Sequence, residues 1–234
     1  MAQSKITKEA FTVLRTPPEL EQYVNSCYSC ICKNRSLRQT ARLRKEPYKT
    51  FVEELMPFSN FCKWKYGNRN DVLCALVPDT QGQGTPGRDA IIIDQNTKIE
   101  HSVEITWPID GQRVIEKCRQ LNERNLYSEN WDYKDISRHQ RDINHTIEIA
   151  HKKALRDYHS PGGASLIFVF DRSSFWNDNK MHFEMLDLLC TRLSEVTLKV
   201  DNILLMLVSG DKNQIIELKS EGKIIKEHFH CRVL

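Results

Sequence analysis

Arg88–Trp107 reads R-D-A-I-I-I-D-Q-N-T-K-I-E-H-S-V-E-I-T-W. Two apolar, β-branched runs, I-I-I and V-E-I-T, flank the turn-prone tetrapeptide Gln95–Lys98, a pattern that predicts a β-hairpin. With Asp94 paired to Ile99, Asp89 falls directly opposite Glu104. Cross-strand partners share a sheet face with Cβ atoms about 5 Å apart, so two carboxylates face each other at the open end of the hairpin. Like charges held that close repel unless a cation lies between them. A divalent ion such as Mg²⁺ or Mn²⁺ suits the place, because hard ions are held by one or two carboxylates plus water and substrate phosphate. The competing reading leaves one acid in water or pairs it with Arg88.

Immediately upstream, D-T-Q-G-Q-G-T-P-G-R is a glycine-rich loop leading into Asp89. No G-K-[S/T] follows it and no helix opens after it, so it is not a phosphate-cradling motif. Before the loop, D-V-L-C-A-L-V-P predicts a first strand ending at Pro78. From Pro47 the spacing of Phe51, Leu55, Phe58 and Cys62 predicts a helix with an apolar stripe, kinked at Pro57. Glu54 falls on the flank of that stripe and Glu53 further from it.

Downstream, Asp110 caps a helix carrying Val114, Ile115, Cys118 and Leu121. A longer helix, about residues 133–158, presents Ile136, Gln140, Ile143, Ile147, Ala150, His151, Ala154 and Tyr158 on one broad face. A histidine in such a place is more often a satisfied core residue than a catalytic one. A-S-L-I-F-V-F-D and N-I-L-L-M-L-V-S are continuous apolar strands of the kind buried in the middle of an α/β sheet, with an amphipathic helix between them carrying Met181, Met185, Leu188, Leu189 and Leu193. N-Q-I-I-E-L-K reads as an edge strand, and His228 and His230 in the tail have no accompanying acids and no assigned role.

At the other end, Pro17 and Pro18 introduce a helix with Leu20, Val24, Cys27 and Ile31 at helical spacing. Cys27, Cys30 and Cys32 form a C-x-x-C-x-C cluster that zinc could occupy if Cys62 or a histidine supplied a fourth ligand. A second C-x-x-C or an H-x-x-x-H is missing, and Cys27 sits at a core position, so buried thiols are the better account. Next, Arg35, Arg38, Arg42, Arg44, Lys45 and Lys49 fall within one short stretch whose only acid is Glu46. Together with Arg88 they are the candidates for neutralising nucleic-acid phosphates, and a solvated basic face is the alternative.

The 234 residues, 40% apolar and 28% charged, describe an ordinary globular chain with a formal charge of +3, too small to name a partner. No window approaches the roughly 20 apolar residues of a membrane span, the N-terminus lacks a signal-peptide core, and eight scattered cysteines fit reduced thiols, so a cytoplasmic protein is expected. The boundaries read as a basic helical extension, residues 1–46, and one α/β unit, residues 47–234.

The element order is helix, strand, acidic hairpin, helix, strand: an α/β protein with a central mixed sheet flanked by helices. In this the chain resembles the PD-(D/E)xK, restriction-endonuclease-like nuclease superfamily over about residues 48–170. The resemblance implies Mg²⁺-dependent hydrolysis of phosphodiester bonds, in DNA more than in RNA. It matches Asp89 and Glu104 to the two metal-binding acids and Glu54 to the additional acid that many members carry on the preceding helix. The family's lysine, two residues after the second acid, is here Thr106, giving E-I-T for E-x-K. Some members supply the lysine from the following helix, where Lys152 and Lys153 stand. The alternative is a catalytically inactive member that binds nucleic acid or a protein. Such nucleases often pair to cut two strands, but no stretch marks a homodimer surface.

Overall fold

In the computed structural model, residues 6–77, 88–108, 111–124, 136–158, 160–171, 180–208 and 213–225 are described. The glycine-rich loop up to residue 87, Asp110 and the two tail histidines lie outside them. The chain divides into two units, one of Met1–His101 and Asp110–Asn130, the other of Ser102–Ile109 and Trp131–Leu234. A seven-stranded mixed sheet runs in chain order, β1 (Val72–Leu76), β2 (Ala90–Asp94), β3 (Glu100–Thr106), β4 (Ala164–Asp171), β5 (Asn202–Val208), β6 (Gln214–Ser220) and β7 (Lys223–Ile224). Strand β3 begins in the first unit and ends in the second.

The first unit is mostly helical. After a short α1 (Lys8–Phe11), α2 (Pro17–Lys33) starts where the proline pair predicted. Thr16 and Glu19 form a reciprocal capping box, the Thr16 N–H donating to Glu19 Oε2 at 2.9 Å. Its buried face is Leu20, Val24, Cys27 and Ile31. The basic stretch is itself helical, α3 (Arg35–Arg42), capped by Asn34 Oδ1 accepting from the Leu37 N–H at 3.1 Å. Helix α2 packs on β1 and on the helix that follows the basic stretch, all within the first unit.

That acidic helix runs through α4 (Tyr48–Thr50), a π-helical turn (Phe51–Leu55) and α5 (Met56–Tyr66). An unbroken α-helix would leave the carbonyl four residues before Pro57 without a donor and against the ring. The chain widens instead: the Met56 N–H donates to the Phe51 carbonyl, five residues back. The expected kink is thus a π turn, and it carries Glu53 and Glu54. Phe51, Leu55, Phe58, Phe61 and Cys62 are fully buried. Helix α6 (Gly111–Arg124) packs against α3.

The predicted hairpin turn forms. The Lys98 N–H donates to the Asp94 carbonyl at 2.8 Å, the Asp94 N–H to the Ile99 carbonyl at 3.2 Å, and Lys98 takes φ 59°. Asp94 Oδ1 accepts from the Asn96 and Thr97 N–H groups, which hold its carboxyl below the usual carboxylate range.

In the second unit, β3, β4 and β5 are parallel, and β6 and β7 continue antiparallel. Helices α7 (Ile136–Ala154) and α8 (Lys180–Glu195) lie against one sheet face, formed by Leu166, Phe168 and Phe170 of β4 and Ile203, Leu205 and Leu207 of β5. The other face of these strands, Ile167, Val169, Leu204 and Met206, is buried as well, which is why both read as unbroken apolar runs. Strand β6 is not the edge: a tight turn with positive φ at Glu221 and Gly222 returns the chain as β7. Gln140 and His151, placed on the apolar face of α7 by sequence, are exposed, and so is Leu188 of α8.

Candidate active site

The sequence predicts one site of Glu54, Asp89 and Glu104; Glu54 and Asp89 fall in the first unit and Glu104 in the second. In the first, Glu54 and Asp89 are both partly buried. The Asp89 carbonyl accepts from the Val77 N–H at 2.9 Å, extending the β1–β2 ladder and fixing the backbone at this acid. Burial, followed by the negative charges of Asp89, Glu46 and Glu53, pushes the Glu54 carboxyl up to about 7, against a smaller opposing effect of Lys49. The helix flank and the start of β2 therefore bring Glu54 and Asp89 close enough for each to feel the other's charge.

Arg88, the cation that the competing reading offers to one of the two acids, has its guanidinium on Glu100, at the start of β3. At the closed end of the hairpin, Arg69 bridges Asp71 and Asp94 at 2.7 and 3.1 Å.

The second unit holds Glu104, which is only 2% exposed. Parallel pairing puts Glu104 beside Leu166 and Thr106 beside Phe168, so both side chains lie on the sheet face that α7 covers. There Glu104 Oε1 accepts from the Lys153 ammonium and from Nη1 of Arg156. Burying a carboxylate is tolerable only with such partners. Glu104 Oε2 and Thr106 Oγ1, both buried, make no hydrogen bond among the described residues.

The apolar face predicted through Gln140 and His151 leaves Lys153 to one side. The buried positions Ile143, Thr146, Ile147 and Ala150 instead define a stripe whose next member at helical spacing is Lys153. Two small side chains, Thr146 and Ala150, on that ridge were the available signal. Arg156, just beyond the helix, was missed altogether, and nothing in the local sequence distinguishes it from the other basic residues there.

The basic stretch is only partly available to a ligand. Arg38 Nη1 donates to the Cys32 carbonyl at 2.9 Å, and Arg44, at φ 52°, pairs with Glu53 at 3.7 Å. Arg42 is half-buried, whereas Arg35 and Lys45 are exposed. Arg42, Arg44 and Lys117 all act electrostatically on Cys118, which places α3 and α6 charges in one neighbourhood. Of the cysteine cluster, Cys27 is buried and Cys32 exposed.

Among the described residues no group of three or more His, Cys, Asp and Glu side chains is arranged to hold a metal ion. Mg²⁺ requires less, one or two carboxylates with water and phosphate completing the shell. Glu54 and Asp89 fit that need: two acids whose mutual repulsion a dication would relieve. Glu104 fits it less well, with Oε1 committed to two cations and only Oε2 remaining.

Among the described residues no helix is long and apolar enough to cross a membrane. In comparisons with known proteins, no family model, no curated protein and no solved structure matches the chain.

Proposed function

We propose that the chain is a metal-dependent nuclease of the restriction-endonuclease-like kind, hydrolysing phosphodiester bonds of nucleic acid, with DNA the first substrate to test. The observation that carries this reading is the Lys153 ammonium on the Glu104 carboxylate. It supplies, from α7, the lysine that E-I-T lacks at Thr106. In the first unit Glu54 and Asp89 are the carboxylates for Mg²⁺ or Mn²⁺. When bound, the ion lowers the pKa of a coordinated water and neutralises charge on the phosphodiester. The second unit contributes Lys153, held by Glu104, as the candidate for the family's lysine. Thr106 Oγ1 and Glu104 Oε2, two residues apart on one face, can hold a water by hydrogen bonds.

Cleavage of single- and double-stranded DNA and of RNA in Mg²⁺ and in Mn²⁺ tests the reading. Asp89→Ala, Glu54→Gln and Lys153→Met each reduce cleavage to background, while EDTA abolishes it. Activity that survives all three substitutions locates the chemistry elsewhere.

One observation favours a second reading, a nuclease-fold module that binds without cutting. The Arg156 guanidinium joins Lys153 on Glu104, so this acid is neutralised twice over without any metal. Nucleic-acid binding with no cleavage in either metal selects that reading.

A further inference from the structure

We infer that Arg156 is a phosphate-binding residue for the nucleic-acid backbone, seated by Glu104, which makes Glu104 a positioning residue for it. The inference rests on the nucleic-acid reading, whether or not the chain cuts.

Three side chains of the second unit carry it. Exposure rises from 2% for Glu104 through 15% for Lys153 to 46% for Arg156. One carboxylate and two cations leave a formal charge of +1, and the surplus charge is the one that reaches solvent. Lys153 alone neutralises the buried acid. The second cation on the same oxygen is not needed for that neutrality, and it is the more exposed of the two. Arg156 therefore carries a charge that the buried acid does not consume.

Its chemistry suits an anion instead. A guanidinium presents five N–H donors in a planar fork, and the bond to Glu104 uses one of them. The backbone is fixed too, the Arg156 N–H donating to the Lys153 carbonyl at 3.0 Å at the end of α7. A long cation already held at both ends loses less freedom on meeting a phosphate than one on a loose stem. The adjacent charges are mixed: Lys152 and Asp157 are both exposed. A single phosphate is thus the natural ligand, and a nucleic-acid backbone presents it in series.

Binding of short labelled single-stranded DNA, duplex DNA and single-stranded RNA, followed by anisotropy in EDTA over a salt series, tests this. Each phosphate contact contributes about 0.9 to the slope of log K against log salt for duplex and about 0.7 for single strands. Arg156→Gln is expected to lower the slope by about that amount, and Arg156→Lys to keep the slope while losing affinity. Lys223→Gln, an exposed cation of β7, leaves the slope unchanged. Glu104→Gln weakens binding at unchanged slope, which a purely structural acid in a folded variant does not do. Should that variant fail to fold, the two Arg156 substitutions decide alone. The preferred strand type shows which polymer supplies the phosphate. An Arg156→Gln slope equal to wild type, or no wild-type binding to any of the three, overturns the inference. Binding that depends on Arg156 without cleavage in Mg²⁺ keeps the inference and removes the hydrolase. Cleavage with Arg156→Gln binding like wild type does the reverse.

Discussion

Glu54 and Glu104 are the same residue type in opposite electrostatic settings. Glu54, on a π turn of the first unit, lies among acids, and its carboxyl is pushed up to about 7 by burial and then by Asp89. Glu104, in the middle of a buried strand of the second, has two cations on one oxygen. Negative neighbours dominate around Glu54, whereas two cations share Glu104. A dication gains most where carboxylates repel one another, and an anion where cations outnumber the acid they share. On the proposed reading, the metal belongs with Glu54 and Asp89 and the phosphate with the Glu104 cluster.

The hardest way to break the contrast is to remove Glu104. Truncating one member of a buried ion pair leaves the other charge stranded and costs about 3–5 kcal/mol. Glu104→Ala is therefore expected to lose that much stability in urea denaturation. Replacing the pair by apolar side chains, Glu104→Leu with Lys153→Met, recovers most of it, because no buried charge remains and Arg156 still reaches water. If Glu104→Ala costs under about 1 kcal/mol, the acid is hydrated and the cluster is not a built site.

The effect at Glu54 is somewhat smaller and depends on pH. A carboxyl raised from 4.5 to about 7 favours the folded state only while protonated. Its contribution is complete below about pH 4.5 and is lost as pH rises through about 7. The full ionisation cost is about 3 kcal/mol as an upper figure, at 1.36 kcal/mol for each pH unit the carboxyl is raised. Wild type should thus lose stability between pH 5 and 8, and Glu54→Gln should lose much less and exceed wild type at pH 8. Adding Mg²⁺ sharpens the comparison: a dication held by Glu54 and Asp89 restores wild-type stability at pH 8 and leaves Glu54→Gln nearly unmoved. Equal Mg²⁺ effects on both proteins remove the metal from this pair.

The legible parts of the molecule were those set by strong local chemistry. The start of α2 at Pro17 and Pro18, the turn after Asp94 and the apolar runs of β4 and β5 each have one low-energy local solution, and all form as their residues predict. Where tertiary packing decides, the local pattern misleads. The face of α7 was drawn through His151 because polar and apolar residues alternate there at nearly helical spacing. The sheet instead buries the ridge of Thr146 and Ala150, and Lys153, next along that ridge, meets Glu104. The π turn was equally hidden, since Pro57 announces a disturbance without saying whether the helix bends or widens. The pairing of Arg88 with Glu100 and the second cation on Glu104 depend on contacts remote in sequence, which no spacing encodes.

Thr106 gives the smallest effect and the finest discrimination. Its hydroxyl is buried beside Phe168 and makes no hydrogen bond among the described residues. A buried donor without a partner carries a desolvation penalty, and an apolar side chain of the same shape removes it. Thr106→Val is therefore expected to stabilise the fold by about 1 kcal/mol. If the hydroxyl and Glu104 Oε2 together orient the attacking water, cleavage falls while stability rises, a split that packing alone cannot produce. A Thr106→Val protein less stable than wild type shows instead that the hydroxyl has a partner in the free protein and is not available to orient a water.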